Sequence, residues 1–453
     1  MTAPKHKLER KFGLFSVTSI VVANMIGAGI FTTSGLLMRD LNNPTIMLLL
    51  WVVGGGIALT GALCYGEIGA AIPKAGGEYI FLSELYHPML GFLSGWISFI
   101  VGFSAPIAAS SIGFSEYLYS AIPFIFKWGV LDLDFVKKIF AILIIIVFTA
   151  VHWRGVEFGA KVQNFLTILK VGLLVGLVII GFSLGSGNMN HFKMASSFSF
   201  NFDGWKSVGL SLMWIMFAYS GWNASTYIGS EIKNPTKNLP WSLLIGTGIV
   251  LFLYICLNVL FVYASTPESM QGVISIGGLT MQNLFGTTVE SIFSLLICIA
   301  LFSSISAFII LGPRVYYAMA KDGYFFSFAA KLHAKYKVPT YSILFQAIIS
   351  IIIILTSTLD QILTYMGFAL SLFPILVVFG LFKLRRRGES VHRLPGYPAT
   401  PILFILSGLI ILTLGFLERP FESSMALATL MIGVPVYFFF KSYKTRESKR
   451  SKS

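Results

Sequence analysis

Apolar residues in this chain come in long, nearly uninterrupted runs, and few folds can accept them. The runs lie at about 12–38, 44–70, 88–121, 135–153, 161–183 and 206–229, then at about 238–264, 285–320, 340–358, 361–382, 401–417 and 422–440. Most approach or exceed the ~20 residues an α-helix needs to cross the hydrocarbon core of a bilayer. Charged residues are only 11% of the 453, against about 25% in soluble domains, and the mean hydropathy is +0.80. Such a chain cannot cover a surface facing water. The runs are too long and too continuous for barrel strands. The expectation is an all-α integral membrane protein with 12 transmembrane helices.

No long polar insert interrupts the runs, so residues 1–453 read as a single transmembrane domain. Spans 1–5 cover about 12–183, spans 6–10 about 206–382 and spans 11–12 about 401–440, with a basic tail at 441–453. The formal charge of +14 does not indicate nucleic acid, because the basic residues cluster between spans. Of the 33 Lys and Arg, 25 fall on the side shared by both termini and 7 on the other, with Lys170 left inside a span. Basic loops stay in the cytoplasm, which puts both termini inside a cell membrane. The segment Lys383 to Arg387 fits an ordinary stop signal. Cys64, Cys256 and Cys298 sit within apolar runs without CxxC spacing, so neither a disulfide nor a metal site is expected.

Two of the runs contain residues that a plain membrane helix avoids. The first carries Met25, Ile26, Gly27, Ala28 and Gly29, and the sixth carries Phe217, Ala218, Tyr219, Ser220, Gly221, Trp222 and Asn223. An interior glycine costs a helix about 1 kcal/mol relative to alanine. Non-helical backbone at membrane depth must lie within protein or line a cavity. Both interruptions fall near the middle of their runs, five spans apart. Because five is odd, spans 6–10 run opposite to spans 1–5, and paired breaks in two inverted halves point to a transporter site.

Helix ends suggest what such a site would hold. A helix resuming after Gly29 presents free N–H groups and a positive dipole end, which suits a carboxylate. A helix ending near Phe217 to Ser220 presents unpaired carbonyls, which suit an ammonium group. A molecule carrying both on neighbouring atoms is an α-amino acid. Lys170 lies about halfway through the fifth span, where a lysine costs about 2.5–3.5 kcal/mol on insertion scales and marks function by default. It could replace a bound sodium ion or exchange protons during a cycle. Glu67, Glu116 and His152 lie near span ends and read as interfacial or capping groups. Gly27-Ala28-Gly29 does not begin a dinucleotide fingerprint, because Thr32 stands at the third glycine position and no strand precedes it.

Four stretches resemble the amino acid–polyamine–organocation (APC) superfamily, and within it the L-amino acid transporter (LAT) family. They are Ile26 to Phe31, Tyr65-Gly66-Glu67 with Pro73 to Tyr79, Gln163 to Lys170, and Phe217 to Asn223 running on through Glu231 to Pro235 and Asn238 to Pro240. The resemblance implies the LeuT-like five-plus-five inverted-repeat core with discontinuous helices 1 and 6, followed by two further helices. It implies carboxylate binding at Gly27, Ala28 and Gly29. It implies amine binding at the carbonyls of Phe217, Ala218 and Ser220 with Met25 or Ile26, with Tyr219 in the same stretch and Asn223 as a secondary candidate. Phe217 would close over the substrate on the outer side. Lys170, facing Ser303, Ser304 and Ser306 of span eight, would stand in for sodium. No cofactor or metal is implied.

This sequence has Ala28 where a serine is frequent in the family and Ser220 where glycine is common, which leans towards small or medium neutral substrates. Some family members pair with a single-span glycoprotein through a cysteine near spans three and four. This chain has none there, so no disulfide-linked partner is expected. The reading is a sodium-independent exchanger of neutral amino acids. Proton-coupled symport is the alternative, followed by a polyamine or amine carrier and an ion channel. A channel would be expected to show charge rings or a repeated filter loop, and an intramembrane enzyme a motif such as HExxH or GxSxG. None is visible.

Overall fold

A computed structural model describes residues 10, 12–129, 131–153, 156–193, 198–333 and 338–450. Residues 1–9, Lys11, Arg154, Lys335, Lys337 and the end of the tail, which enter the charge count, lie outside the described residues, as do the side chains of Lys161, Gln163, Asn164 and residues 445–450.

The chain begins with a divided helix, α1 (Leu14–Met25) and α2 (Ala28–Leu41). Asn43 then accepts a hydrogen bond from the Ile46 N–H and caps α3 (Pro44–Ala71), with Pro44 in the first turn where its missing donor costs nothing. A short α4 (Glu78–Leu85) leads to α5 (Pro88–Ile97), a π-helical turn at Ser98–Gly102 and α6 (Ser104–Ala121). Next come α7 (Leu133–Trp153), α8 (Val156–Leu184) and α9 (Phe202–Ala218). After a second interruption a 3₁₀ segment, Ala224–Glu231, precedes α10 (Pro235–Ala264). The short α11 (Pro267–Met270) and α12 (Ile276–Phe285) bring the chain to the long α13 (Thr287–Lys321). The remainder is α14 (Thr340–Thr356), α15 (Leu359–Arg386), α16 (Ala399–Glu418) and α17 (Pro420–Arg450).

Ten helices among the described residues are long and apolar enough to cross a membrane, counting α1 with α2 and α5 with α6 as one each. The sequence leads to twelve. The runs at about 206–229 and 340–358 hold α9 and α14, each 17 residues, or about 25 Å of helix, and neither is among the ten. Helix α9 is short because the second interruption ends it. The described residues contain no strand, only an isolated parallel bridge. In it the Phe12 N–H donates to the Glu231 carbonyl at 3.1 Å and the Lys233 N–H donates to the Phe12 carbonyl at 2.8 Å.

Helices α1 and α3 both pack on α10, and α13 packs on α6 and α8. This puts both interruptions in the middle of the bundle, where Val21, Met25, Ile26, Ile215 and Tyr254 are buried. Large apolar side chains such as Ile168, Phe252, Leu403 and Ile410 are exposed on outer helix faces, a surface suited to lipid rather than water. Glu67, at the end of α3, is fully buried. It accepts from Arg385 Nε and Nη2, both at 2.7 Å, from Ser390 at 2.6 Å and from the Leu394 N–H at 2.8 Å. The sequence suggests an interfacial or capping group here. The structure shows a junction tying α3 to α15 and the segment after it.

Candidate functional site

The first interruption is confined to Ile26 and Gly27, both in extended conformation (φ −73°, ψ 94° and φ −129°, ψ −158°). Helix α2 restarts at Ala28 with no side-chain cap. Its first N–H groups therefore point into the break with the dipole behind them. The second interruption runs from Tyr219 to Asn223. It turns at Gly221, whose φ of +94° lies in the region that favours glycine.

The two breaks touch each other. A Cβ on Gly29 would lie 2.4 Å from Ala218 Cα, and one on Gly221 would lie 2.9 Å from the Asn24 carbonyl carbon. A real side chain at either position would collide with backbone. Gly27 is different, since a Cβ there would meet only Ser304 Oγ at 3.8 Å and the Met25 carbonyl at 4.0 Å. Glycine is demanded at 29 and 221 by the crossing of two chains.

Lys170, on α8, is fully buried and reaches the first break. Its ammonium donates to the Ala23 carbonyl at 3.0 Å, to the Ile26 carbonyl, and to Ser304 Oγ on α13 at 3.4 Å. Ser304 itself donates to the Ile26 carbonyl at 3.3 Å. One cation thus gathers carbonyls that the end of α1 leaves without helical partners. Of the three α13 serines expected to face it, Ser304 meets the lysine. Ser306 lies 3.0 Å from His152 Nε2, and Ser303 is buried.

Sequence reasoning missed Tyr254. This α10 residue is fully buried, and its hydroxyl lies 2.8 Å from the Met25 carbonyl and 3.2 Å from the Ala218 carbonyl. It bridges the two breaks with one proton. The only signal was a phenol inside an apolar run, which must find a partner when buried. Four of the five carbonyls expected to take an ammonium therefore already have donors: Tyr254 at Met25 and Ala218, Lys170 at Ile26, and the Ser220 N–H at Phe217 (2.8 Å). Tyr219 turns away from the break and donates to the Trp51 carbonyl at 3.2 Å.

Between the breaks lies a pocket of about 10 Å³ lined by Met25, Gly27, Ala28, Gly29, Ala218 and Ser220 among others. That is room for about one water. Asn24, Phe217, Ser220 and Phe308 divide it from a second cavity of about 120 Å³. Phe308 was also missed, being one aromatic among many. The larger cavity extends past Asn223 and Tyr227 to Glu78, the first residue of α4. Glu78 is buried and accepts from Tyr65 at 2.9 Å, from Asn223 Nδ2 at 3.0 Å and from the Ser94 hydroxyl. Burial pushes its carboxyl up to about 7, against the pull of those three donors. Among the described residues no group of three or more His, Cys, Asp or Glu could hold a metal ion.

Nearly the whole chain is similar to known proteins. The family model described as "Amino acid permease" matches residues 12–440. The human protein named large neutral amino acids transporter small subunit 2 is 28% identical over 437 residues, spanning 95% of this chain and 80% of that one. The serine/threonine exchanger SteT of Bacillus subtilis (strain 168) is 28% identical over 447 residues, spanning 96% and 98%. The mouse Asc-type amino acid transporter 1 is 26% identical over 438 residues, spanning 95% and 81%.

Proposed function

The chain belongs to the amino acid permease family, and from that membership we propose that it is a sodium-independent secondary transporter of neutral L-amino acids working as an exchanger. The family is one of multi-pass membrane transporters, not enzymes. The observation that carries the proposal is the uncapped start of α2 facing the end of α9 across a pocket lined by backbone, with Lys170 fixed behind it.

In this reading the N–H groups at Gly27, Ala28 and Gly29 take the substrate carboxylate. The carbonyls of Phe217, Ala218 and Ser220, with Met25 or Ile26, take the ammonium on their second lone pairs, and Asn223 is a secondary contact. Lys170 and Ser304, with Ser303 near them, do the work a bound sodium ion would otherwise do at the break. Exchange is favoured over proton symport because one of the similar proteins is named as an exchanger. The whole chain forms one domain of twelve spans in a five-plus-five inverted repeat, with α9 and α14 as its short sixth and ninth members. Both termini are cytoplasmic, as the asymmetry of Lys and Arg requires. The cavity leading to Glu78 then opens to the cytoplasm, and transport consists of rocking about the breaks. No disulfide-linked partner is needed.

Purified protein in liposomes preloaded with an unlabelled neutral amino acid should take up labelled amino acid. Preloaded vesicles should empty only when amino acid is present outside. Amino acid amides and amines lacking a carboxylate should not compete. Strong competition by them would turn the reading to an amine carrier, and uptake into empty vesicles driven by a proton gradient would turn it to symport.

A further inference from the structure

The geometry points to a second, proton-binding site in this molecule: Glu78, with Tyr65, Ser94 and Asn223, takes up a proton when the larger cavity closes and releases it when that cavity opens. This rests on the transport reading above. Glu78 begins α4, and a carboxylate in that place ordinarily caps its own helix. Its side chain instead leaves α4 and reaches Tyr65 of α3 and Asn223, which sits in the turn of the second break. Ser94 of α5 adds a third donor. Three separate parts of the bundle, α3, α5 and the second break, therefore meet on one carboxyl group at the wall of the larger cavity.

What faces this group is neutral. Tyr65, Ser94, Asn223 and the phenol of Tyr227 surround it, and among the described residues no lysine, arginine or histidine is paired with it. The charges near it, Lys74 four positions earlier and Asp322 beside Tyr79, are engaged elsewhere. Lys74 pairs with Glu84, and Asp322 accepts from the neighbouring Tyr79 at 2.6 Å. A buried carboxylate with a cation beside it stays ionised. One held by neutral donors alone responds to how wet its surroundings are. That balance already lies at about 7.

The direction follows. With the cavity open, water reaches Glu78 and favours the charged form, which accepts from all three donors. With the cavity closed, the site is dry and the neutral form is favoured. Low pH therefore assists closure. High pH holds the cavity open, and any cycle that must close it slows down.

The test uses exchange of labelled neutral amino acid in liposomes, with equal pH on both faces so that no gradient drives transport. The pH is stepped across about 5 to 9. Wild-type exchange should fall by about threefold or more as pH rises through neutrality. Glu78→Gln, isosteric and permanently neutral, should stay flat. Asn223→Ala removes a donor that favours the charged form, so its fall should begin at higher pH. A Glu78→Gln profile that tracks wild type overturns the proposal. A second readout does not depend on transport. Infrared difference titration of the detergent-solubilised protein should show a carboxyl band titrating near neutrality that is missing in Glu78→Gln, and a band that survives the substitution also overturns the proposal. Absence of exchange at every pH, with the infrared band present, would count against the transport reading and leave the proton site standing.

Discussion

The two interruptions share a depth and a neighbour, yet they are built differently. The first spends two residues out of helix and restarts as α2, a regular helix of 14 residues. The second spends five, turns at a positive-φ glycine, and continues as a 3₁₀ segment that itself departs from helical geometry at Ile228. A buried cation holds the carbonyls of the first. The second is held by short-range backbone bonds, by Asn223 on Glu78, and by two phenols, Tyr219 on the Trp51 carbonyl and Tyr254 on the Ala218 carbonyl, with no cation among the described residues. A rigid break suits a row of N–H groups that must be aimed at one anion. In the proposed mechanism the longer break is the side that moves, and the larger cavity is lined from that side.

Removing the cation should level this difference most. Lys170→Ala deletes three hydrogen bonds from a charged donor, each worth about 1.5–3 kcal/mol. Exchange should fall about tenfold or more while the protein stays monodisperse in detergent. Wild-type uptake in that variant would show that the first break needs no cation to stay rigid. Next in size is Gly29→Ala, which drives a methyl group into Ala218 backbone at a cost of about 1–3 kcal/mol. Its melting temperature and its uptake should both drop, whereas Gly27→Ala, with room for its methyl group, should remain within about 0.5 kcal/mol of wild type. Equal effects from the two would mean that the breaks do not cross as described. The smallest change is Tyr254→Phe, which leaves packing intact and removes one shared proton. An exchange rate about 2- to 5-fold lower, without loss of folded protein, is the expected result, since two buried carbonyls each lose a donor.

The location of the breaks was legible because glycine and small polar residues stand out against an apolar run. Lys170 was legible for the same reason, as the lone cation within a span. Which serine would meet it was not, because Ser304 and Ser306 differ by two positions, which on a helix places them on different faces. Tyr254 and Phe308 carried no usable signal, as aromatic residues are common throughout these runs and their partners lie far away in sequence. Glu78 sits in a motif that contributed to the family resemblance, but its burial depends on α3, α5 and the second break folding around it. Tyr219 shows the converse, since its place in the second stretch suggested the site and its side chain went to Trp51.

The bridge between Phe12 and the Glu231–Lys233 segment has a mechanical consequence. It joins the chain just before α1 to the chain just after the 3₁₀ segment, so the free ends of both broken spans are fastened to each other on one side of the bundle. Two levers that could otherwise swing independently share a single handle. Any tilt of α1 must carry the second break with it, and the pair has one degree of freedom where two separate half-helices would have had two.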